Sequence, residues 1–291
     1  MKTLHFDPNV PFAEPKTGLV YDLPDPAYRA IPRISMSGAK PYAKTEAHGI
    51  SQAKTGLRNV KPETLMLGRA VHTAILEPHR LELDYVVSPK FDRRTTLGKE
   101  AHAEFEAGVG DRSIVSQDQL DLALQMRESA MAHPLAAAML SEGDAEVAQF
   151  WQTELDDGTI VPCKGRLDWL RMDWKGHPLI LDVKSCQDAS PRGFARACAN
   201  FSYHLQDYMY SSGLVAAAGV EHPTFVFLAI EKEPPYACAV YELDALARSR
   251  GCDLMEICLQ RYVSATAAVA AGRPPQSYPQ SLVQLSLPTW A

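Results

Sequence analysis

Apolar and polar positions alternate with two different periods along this chain, and each period predicts a different kind of element. In the first half, apolar residues recur every three or four positions, which is typical of helices that bury one face. From Glu146 onward the period shortens to two, which is typical of β-strands. The pattern predicts helices over residues 63–77 and 116–141, strands over 146–155 and 159–172, a further strand that carries Asp182, Val183 and Lys184, helices over 190–219, strands over 223–231 and 236–243, and a helix over 244–271.

These elements predict an α/β (α+β) fold with a central mixed β-sheet flanked by helices. Pro134 is expected to break the second helix, and Asp157-Gly158 is expected to form a hairpin turn. Residues 1–34 are rich in proline and lack periodicity, so they predict an extended N-terminal arm. Residues 35–291 are expected to form a single domain whose C-terminal tail packs against it, because leucine and tryptophan are regularly spaced in the tail.

Two acidic residues on neighbouring predicted strands are the first candidates for chemistry. A turn centred on Lys175 would place Asp168 opposite Asp182, with their Cβ atoms roughly 5 Å apart. Because side chains alternate along a strand, Lys184 shares a face with Asp182. Two carboxylates this close repel each other unless a divalent cation lies between them. A register shift of one residue would turn Asp168 to the other face.

Further candidate residues lie on the predicted helices. Gln206 and Tyr210 are four residues apart and share one helix face, although a buried amide satisfied by the backbone is the plainer interpretation of Gln206. His72 lies on an apolar helix face, where a histidine is more often part of the core than a ligand. Glu146 is an additional candidate, because its strand neighbours the strand of Asp168.

Basic and hydroxyl side chains are candidates for phosphate contacts. Arg93 and Arg94 precede a helix, where they either bind phosphate or belong to a solvated loop. Arg166 shares a strand face with Asp168. Ser35 and Ser37 either contact a phosphate or cap a short helix, and the cap is the simpler interpretation.

Composition narrows the functional classes only slightly. The net charge of −6 and the pI of about 5.9 argue mildly against a nucleic-acid binder, although a local basic cluster and a metal can offset an acidic surface. Six cysteines without a CxxC motif argue against a structural zinc site and favour free thiols in a reducing cytoplasm. We expect no signal peptide and no membrane span, since no apolar run is long enough for either.

Taken together, these motifs resemble the PD-(D/E)xK nuclease superfamily. Asp168 with the Asp182-Val183-Lys184 strand corresponds to its acidic and DxK motifs, and Gln206 with Tyr210 corresponds to the QxxxY motif of the RecB-like branch. The segment GRAVH, which ends at His72, matches an early-helix histidine of such nucleases. Segments from about Tyr28 to the tail, including FDRRTTLGK and YPQSLVQLSLPTW, resemble the nuclease domain of the exodeoxyribonuclease VIII (RecE) family.

The resemblance implies roles for these residues. His72, Asp168, Asp182 and the carbonyl of Val183 would be ligands of Mg²⁺, for which Mn²⁺ is an expected substitute. Lys184 would position or deprotonate the attacking water or stabilise charge in the transition state. Gln206 and Tyr210 would orient Lys184 and the DNA end.

The resemblance also implies an activity and partners. The activity is digestion of linear double-stranded DNA from its ends, 5′→3′, which leaves 3′ single strands for a single-strand annealing protein in phage or prophage recombination. A homo-oligomeric ring around DNA is implied as well. No iron–sulfur cluster is expected, because related nucleases with a cluster carry a C-terminal CxxC and an upstream cysteine, whereas no cysteine here precedes residue 163.

Two alternatives remain open at this point. The same core could act as an endonuclease or as a single-strand nuclease. The fold could also serve as a DNA-binding protein without catalysis, although the complete set of Asp168, Asp182, Lys184 and Gln206 argues against this.

Overall fold

The computed structural model describes residues 3–10, 12–56 and 62–286. Its strands are β1 (Thr3–His5), β2 (Gly18–Tyr21), β3 (Tyr85–Val87), β4 (Ser113–Val115), β5 (Asp144–Glu154), β6 (Ile160–Trp174), β7 (His177–Cys186), β8 (Thr224–Glu231) and β9 (Cys238–Tyr241). Its α-helices are α1 (Asp25–Ala30), α2 (Met36–Ala39), α3 (Glu46–Thr55), α4 (Pro62–Leu76), α5 (Leu81–Asp84), α6 (Thr96–Gly108), α7 (Gln117–Ala132), α8 (Pro134–Leu140), α9 (Pro191–Phe201), α10 (Tyr203–Ala218) and α11 (Ala245–Ala270). Short 3₁₀ helices cover Lys40–Ala43 and Pro78–Arg80.

A mixed seven-stranded sheet organises the fold, with the strand order β1-β2-β5-β6-β7-β8-β9. Only the β1–β2 and β7–β8 pairs in this sheet are parallel. A separate parallel pair, β3–β4, lies outside it. The predicted α/β class, with a mixed sheet flanked by helices, is therefore confirmed. No helix in the described ranges is long and apolar enough to cross a membrane.

Strand β7 shows how the sheet is buried on both faces. Leu179 and Leu181 pack with residues of α4, α7 and α8, whereas Ile180 packs with residues of α9 and α10. The alternation continues along the strand. Asp182 and Lys184 therefore follow Ile180 onto the face covered by α9 and α10.

Two hairpins set the register of the central strands. Gly158, in the β5–β6 turn, has a φ of +80°, and the Asp157 carboxylate accepts a hydrogen bond of 2.9 Å from the Thr159 N–H. In the β6–β7 turn, Lys175 and Gly176 both have positive φ, as a tight hairpin turn requires. Both turns lie where the sequence predicts them. A β-bulge between residues 171 and 174 was not expected.

The ladder between β6 and β7 ends early, so the sheet opens into a fork. Their last paired residues are Trp169 and Leu181, beyond which β7 remains paired with β8 alone. The freed edge of β6 instead forms a bridge between Cys163 and Ile34, and the Lys164 N–H donates to the Ile34 carbonyl over 2.9 Å. We call the opening between β6 and β7 the fork. One side of the fork is therefore lined by the chain that leads into α2.

The N-terminal arm prediction is wrong. Strand β2 is part of the main sheet and pairs antiparallel to β5, with Leu19 opposite Gln149. Leu19 and Val20 are 1% and 0% exposed. The prolines on either side of this four-residue strand conceal it in the sequence, because a strand this short shows almost no period.

The packed C-terminal tail is found only in part. The N–H and carbonyl of Gln276 bond to α3, and the ring of Tyr278 lies 5.5 Å from that of His48. Leu282 and Leu285, by contrast, are exposed. The spacing of leucines therefore does not reflect burial here. Residues 287–291, including Trp290, lie outside the described residues.

Candidate active site

Three carboxylates lie in a row across β5, β6 and β7. The pairing of Trp169 with Leu181 places Asp168 opposite Asp182, which is the register that the sequence predicts. The turn alone, with Trp174 paired to His177, would align Asp168 with Val183, and the bulge between residues 171 and 174 shifts the register by one residue. On the other side of β6, the pairs Ala145–Trp169 and Val147–Leu167 place Glu146 opposite Asp168. Glu146 has a φ of +53°, so the strand is locally distorted at this residue. The row lies where the fork begins.

His72, Glu146 and Asp168 form a group that could hold a metal ion. One ligand atom from each lies within 4.8 Å of the others. The Nδ1 atom of His72 is 3.3 Å from Oδ2 of Asp168, and the same oxygen accepts a 3.0 Å hydrogen bond from the Val183 N–H. Burial and the charge of Asp168 raise the pKa of Glu146 to about 8.

Two carboxylates and an imidazole suit a divalent cation. Carboxylate oxygens favour Mg²⁺ and Mn²⁺, and the imidazole is compatible with Mn²⁺. A cation would also offset the repulsion between Glu146 and Asp168. The donor set therefore fits the metal that the sequence predicts, with Glu146 as a ligand that the predicted set omits.

Asp182 is held by two neighbours on the α9–α10 side of the sheet. Its Oδ2 atom is 2.5 Å from the Lys184 Nζ, and its Oδ1 atom accepts a hydrogen bond from the Gln206 Nε2. The side chain is 1% exposed. Burial and the charge of Asp168 raise the pKa of Asp182 to about 7, although Lys184 and Gln206 act against this. Asp182 is not in the His72–Glu146–Asp168 group, and its metal role stays a prediction.

Lys184 keeps its positive charge in this environment. Burial alone would lower its pKa, but the carboxylates of Asp182 and Asp168 outweigh burial, and the pKa of Lys184 is raised. The Nζ atom also lies 4.8 Å from the centroid of the Tyr203 ring. A lysine in this state is suited to stabilising negative charge rather than to accepting a proton.

The QxxxY pair has partners other than those expected. Gln206 donates to Asp182, whereas the family resemblance implies that it orients Lys184. The ring of Tyr210 lies 6.4 Å from that of Phe225, and burial followed by the charges of Tyr28, Asp182 and Asp168 raises its pKa well above 10. The aromatic ring that contacts Lys184 is that of Tyr203.

The predicted basic phosphate contacts have protein partners. Arg166 is 3.0 Å from Asp25, donates to the Leu23 carbonyl, and lies over the Tyr28 ring at 4.2 Å. With 15% of its side chain exposed, it holds the N-terminal segment against the sheet. Its predicted DNA contact would have to compete with these partners.

The remaining predicted contacts lie in two other places. Arg93 bonds to His102 on α6, and Arg94 pairs with Asp92 in the loop before that helix. The structure ties both arginines to that loop and helix rather than to the carboxylate row. Ser35 caps α2 by accepting from the Gly38 N–H, and its hydroxyl lies 3.2 Å from that of Ser37. Both serines begin the helix that lines the fork.

Sequence reasoning missed Tyr203 and gave Glu146 only minor weight. Glu146 and Asp168 are equidistant from Asp157, so counting from the predicted turn would have aligned them. Tyr203 had no such signal. It follows Ser202, whose left-handed φ of +55° separates α9 from α10 within a stretch that the pattern predicts as continuously helical.

Comparisons with known proteins agree with this geometry. Residues 35–272 match the family model described as a PDDEXK-like domain of unknown function (DUF3799). No protein among the curated sequences matches.

Solved structures share the fold at low sequence identity. A protein from Eubacterium rectale, named "Putative exonuclease", aligns with a TM-score of 0.56 and 15% identity, over 88% of this chain and 91% of that chain. The structure of SSO0001 aligns with a TM-score of only 0.30 and 16% identity, over 67% of this chain and 86% of that chain, which is too low to support an argument. Since the family model covers most of the chain, this protein belongs to the PDDEXK-like family DUF3799.

Proposed function

We propose that this protein is a divalent-metal-dependent nuclease that hydrolyses phosphodiester bonds in DNA. The observation that carries the proposal is the convergence of His72, Glu146 and Asp168 with the Asp182–Lys184 pair at the fork. Membership of a PDDEXK-like family supports it. The name of the Eubacterium rectale protein, whose fold this chain shares, is consistent with it.

Each side chain then has a role that its contacts allow. His72, Glu146 and Asp168 would hold Mg²⁺, or Mn²⁺ in its place, and Asp182 and the Val183 carbonyl are further candidate ligands. The bound cation would lower the pKa of water and neutralise phosphate charge. Lys184, which stays protonated, stabilises the negative charge that develops on the phosphate. Gln206 holds Asp182 in place, and Tyr203 supports the Lys184 ammonium.

We further propose that the substrate is the end of linear double-stranded DNA. The family resemblance seen in the sequence supports 5′→3′ degradation that leaves 3′ single strands for an annealing protein in recombination. It also supports a homo-oligomeric ring around DNA.

The test is digestion of linear duplex DNA that carries a label at one 5′ end, with Mg²⁺, with Mn²⁺ and with EDTA. We expect early release of the label in either metal and none in EDTA. Closed circular DNA of the same sequence should remain intact. Lys184→Ala should reduce the rate by at least about 100-fold, because one electrostatic stabiliser of a transition state contributes roughly that much.

Lys175→Gln is the matched control, because it removes a lysine from the exposed β6–β7 turn. It should cleave like the wild type. Cleavage of circles would instead indicate an endonuclease, and preference for single strands a single-strand nuclease. Binding of DNA without cleavage in any divalent metal would indicate an inactive DNA-binding protein and overturn the proposal.

A further inference from the structure

The fork brings a second lysine close to Lys184. The bridge between Ile34 and Cys163 fixes the chain before α2 on the freed edge of β6. Lys40 follows directly after α2, in the first position of a 3₁₀ helix. Two aromatic rings connect Lys40 to Lys184, since the Lys184 Nζ lies 4.8 Å from the centroid of the Tyr203 ring, the Tyr203 and Phe201 ring centroids are 5.7 Å apart, and the Lys40 Nζ lies 5.7 Å from the centroid of Phe201. The opening of the fork is therefore flanked by two cations from different parts of the chain.

The ammonium group of Lys40 has spare hydrogen-bonding capacity. It donates to the carbonyl of Phe201, at the end of α9, over 2.7 Å. An ammonium group has three donors, so this bond leaves two of them available. Lys184, by comparison, is paired with the carboxylate of Asp182. The polar contact that the structure gives the Lys40 ammonium is to a neutral carbonyl, so its charge is available to an anion.

Phe201 presents an exposed aromatic ring next to this lysine. Its side chain is an exposed large apolar group, with 53% of the residue accessible. The ring centroid lies 5.7 Å from the Lys40 Nζ and 5.7 Å from the centroid of Tyr203. Tyr203 in turn stacks on the buried Phe227 at 5.5 Å. The exposed ring therefore rests on a rigid aromatic base, which limits the entropy lost when a flat ligand stacks on it.

Two aromatic rings lie between two cations from the fork to the surface, in the order Lys184, Tyr203, Phe201, Lys40. Every neighbouring pair in this series is within 5.7 Å by ring centroid or ammonium nitrogen. A nucleotide offers a phosphate next to a flat base. A lysine beside an exposed aromatic ring suits both groups, since bases stack on aromatic side chains while lysines track the backbone.

We propose that Lys40 and Phe201 form a nucleotide subsite beside the cleavage site, in which Lys40 binds a DNA phosphate and Phe201 stacks on the base at a strand end. This inference rests on the proposed nuclease function and assigns part of its substrate recognition. The nucleotide held there lies on the same side of the fork as the one whose phosphate reaches Lys184, because the Tyr203 and Phe201 rings connect the two lysines.

Binding without cleavage tests the lysine. Fluorescence anisotropy of a labelled linear duplex is measured from low to high salt, in EDTA and separately with Ca²⁺. Lys40→Gln should weaken binding severalfold and reduce the slope of log K against log salt by about 0.7–0.9, the value for one lost phosphate contact. Lys40→Arg should restore the slope, and Lys175→Gln should leave it unchanged. A wild-type slope for Lys40→Gln would contradict the phosphate contact.

The ring is tested with 2-aminopurine at the terminal base of the same duplex. Wild-type protein should quench its fluorescence by stacking, whereas Phe201→Leu should not, and its affinity should fall about fivefold or more. Phe201→Tyr should retain the quenching. Quenching by a folded Phe201→Leu protein equal to that of the wild type would overturn the stacking role. If the wild type binds no DNA in either condition, the nuclease proposal itself fails, and the subsite fails with it.

Discussion

Two neighbouring residues on α10, Gln206 and Asp207, have different roles. Gln206 reaches the candidate active site through Asp182, while Asp207 is buried elsewhere with 0% of its side chain exposed. The Asp207 carboxylate accepts a 3.1 Å hydrogen bond from Ser211 and lies 3.6 Å from Arg248 on α11. Burial raises its pKa to about 6 despite Arg248 and Ser211. Asp207 therefore costs stability whenever it is ionised.

Replacement of Asp207 by Asn should reveal this cost. The folded-state pKa of about 6 lies above the ordinary aspartate pKa of 3.8, so the folded state holds the proton more tightly. The free energy of unfolding therefore falls as pH rises from about 4 to 6. Asp207→Asn should thus stabilise the protein by about 1–3 kcal/mol at pH 8 and little at pH 4. Chemical denaturation at both pH values measures this. The exposed Asp253→Asn should show no such difference, and an equal effect of Asp207→Asn at both pH values would contradict the explanation.

Residue roles were predictable where they depend on strand register. Asp168 and Asp182 lie opposite each other because a short turn and the bulge between residues 171 and 174 together set their alignment, and only the turn is visible in the sequence. The partner of Gln206 was not predictable, because it depends on the depth at which α10 packs on the sheet. The position of Tyr203 depends on the left-handed backbone conformation of a single residue, Ser202. A serine does not require this conformation, so the sequence does not indicate it.

At the scale of elements, the distance between α10 and β5 is set by glycine. A Cβ atom on Gly213 would lie 2.9 Å from Gln149 Nε2 and 2.9 Å from a ring carbon of Trp151. Both neighbours are buried. Since α10 also carries Gln206, close packing at Gly213 supports the candidate active site from two helical turns away.

Gly213→Ala should therefore reduce both stability and cleavage. Overpacking of this kind costs about 1–3 kcal/mol, and outward movement of α10 would weaken the bond between Gln206 and Asp182. Gly68→Ala on α4 is the matched control, because a Cβ there meets nothing within 4 Å and alanine favours a helix by up to about 1 kcal/mol. Thermal unfolding and the cleavage assay measure both variants. Equal stability of the two variants would contradict the packing argument.

Hairpins and long helices were predictable as elements because their signals are local. The fork was not, because it arises when the chain around Ile34, which is far from β6 in sequence, takes the place of β7 at the edge of β6. No local pattern shows that the partner of β6 is Ile34 at Cys163 and β7 from Trp169 onward.

At the scale of the whole molecule, the main sheet extends beyond the segment that the family model matches. The match begins at residue 35, yet β2 covers the edge of β5 and buries Leu19 and Val20. Phe150 and Ala148 of β5 belong to the same buried cluster. The N-terminal segment is therefore part of the core rather than an appendage.

Removal of residues 1–22 should destabilise the protein. Loss of Leu19 and Val20 alone forfeits about 3–6 kcal/mol at about 1.5–3 kcal/mol per buried side chain, and β5 becomes an open edge that can aggregate. Thermal unfolding and size-exclusion chromatography measure both effects. The control is Leu282→Ser with Leu285→Ser, which changes two exposed residues and should leave the midpoint unchanged. An unchanged midpoint for the shortened chain would show that β2 contributes nothing.

The two hairpins also limit how this chain can change in length. Glu146 and Asp168 are equidistant from Asp157 in the first turn, whereas Asp168 and Asp182 are aligned by the second turn together with the bulge between residues 171 and 174. Turn residues can be exchanged where the backbone φ is negative, but inserting or deleting one residue would reverse the side on which Asp182 lies. Only paired changes, or a compensating bulge such as the one between residues 171 and 174, would keep the carboxylates aligned. In related sequences, insertions and deletions in these two turns should therefore come in steps of two residues.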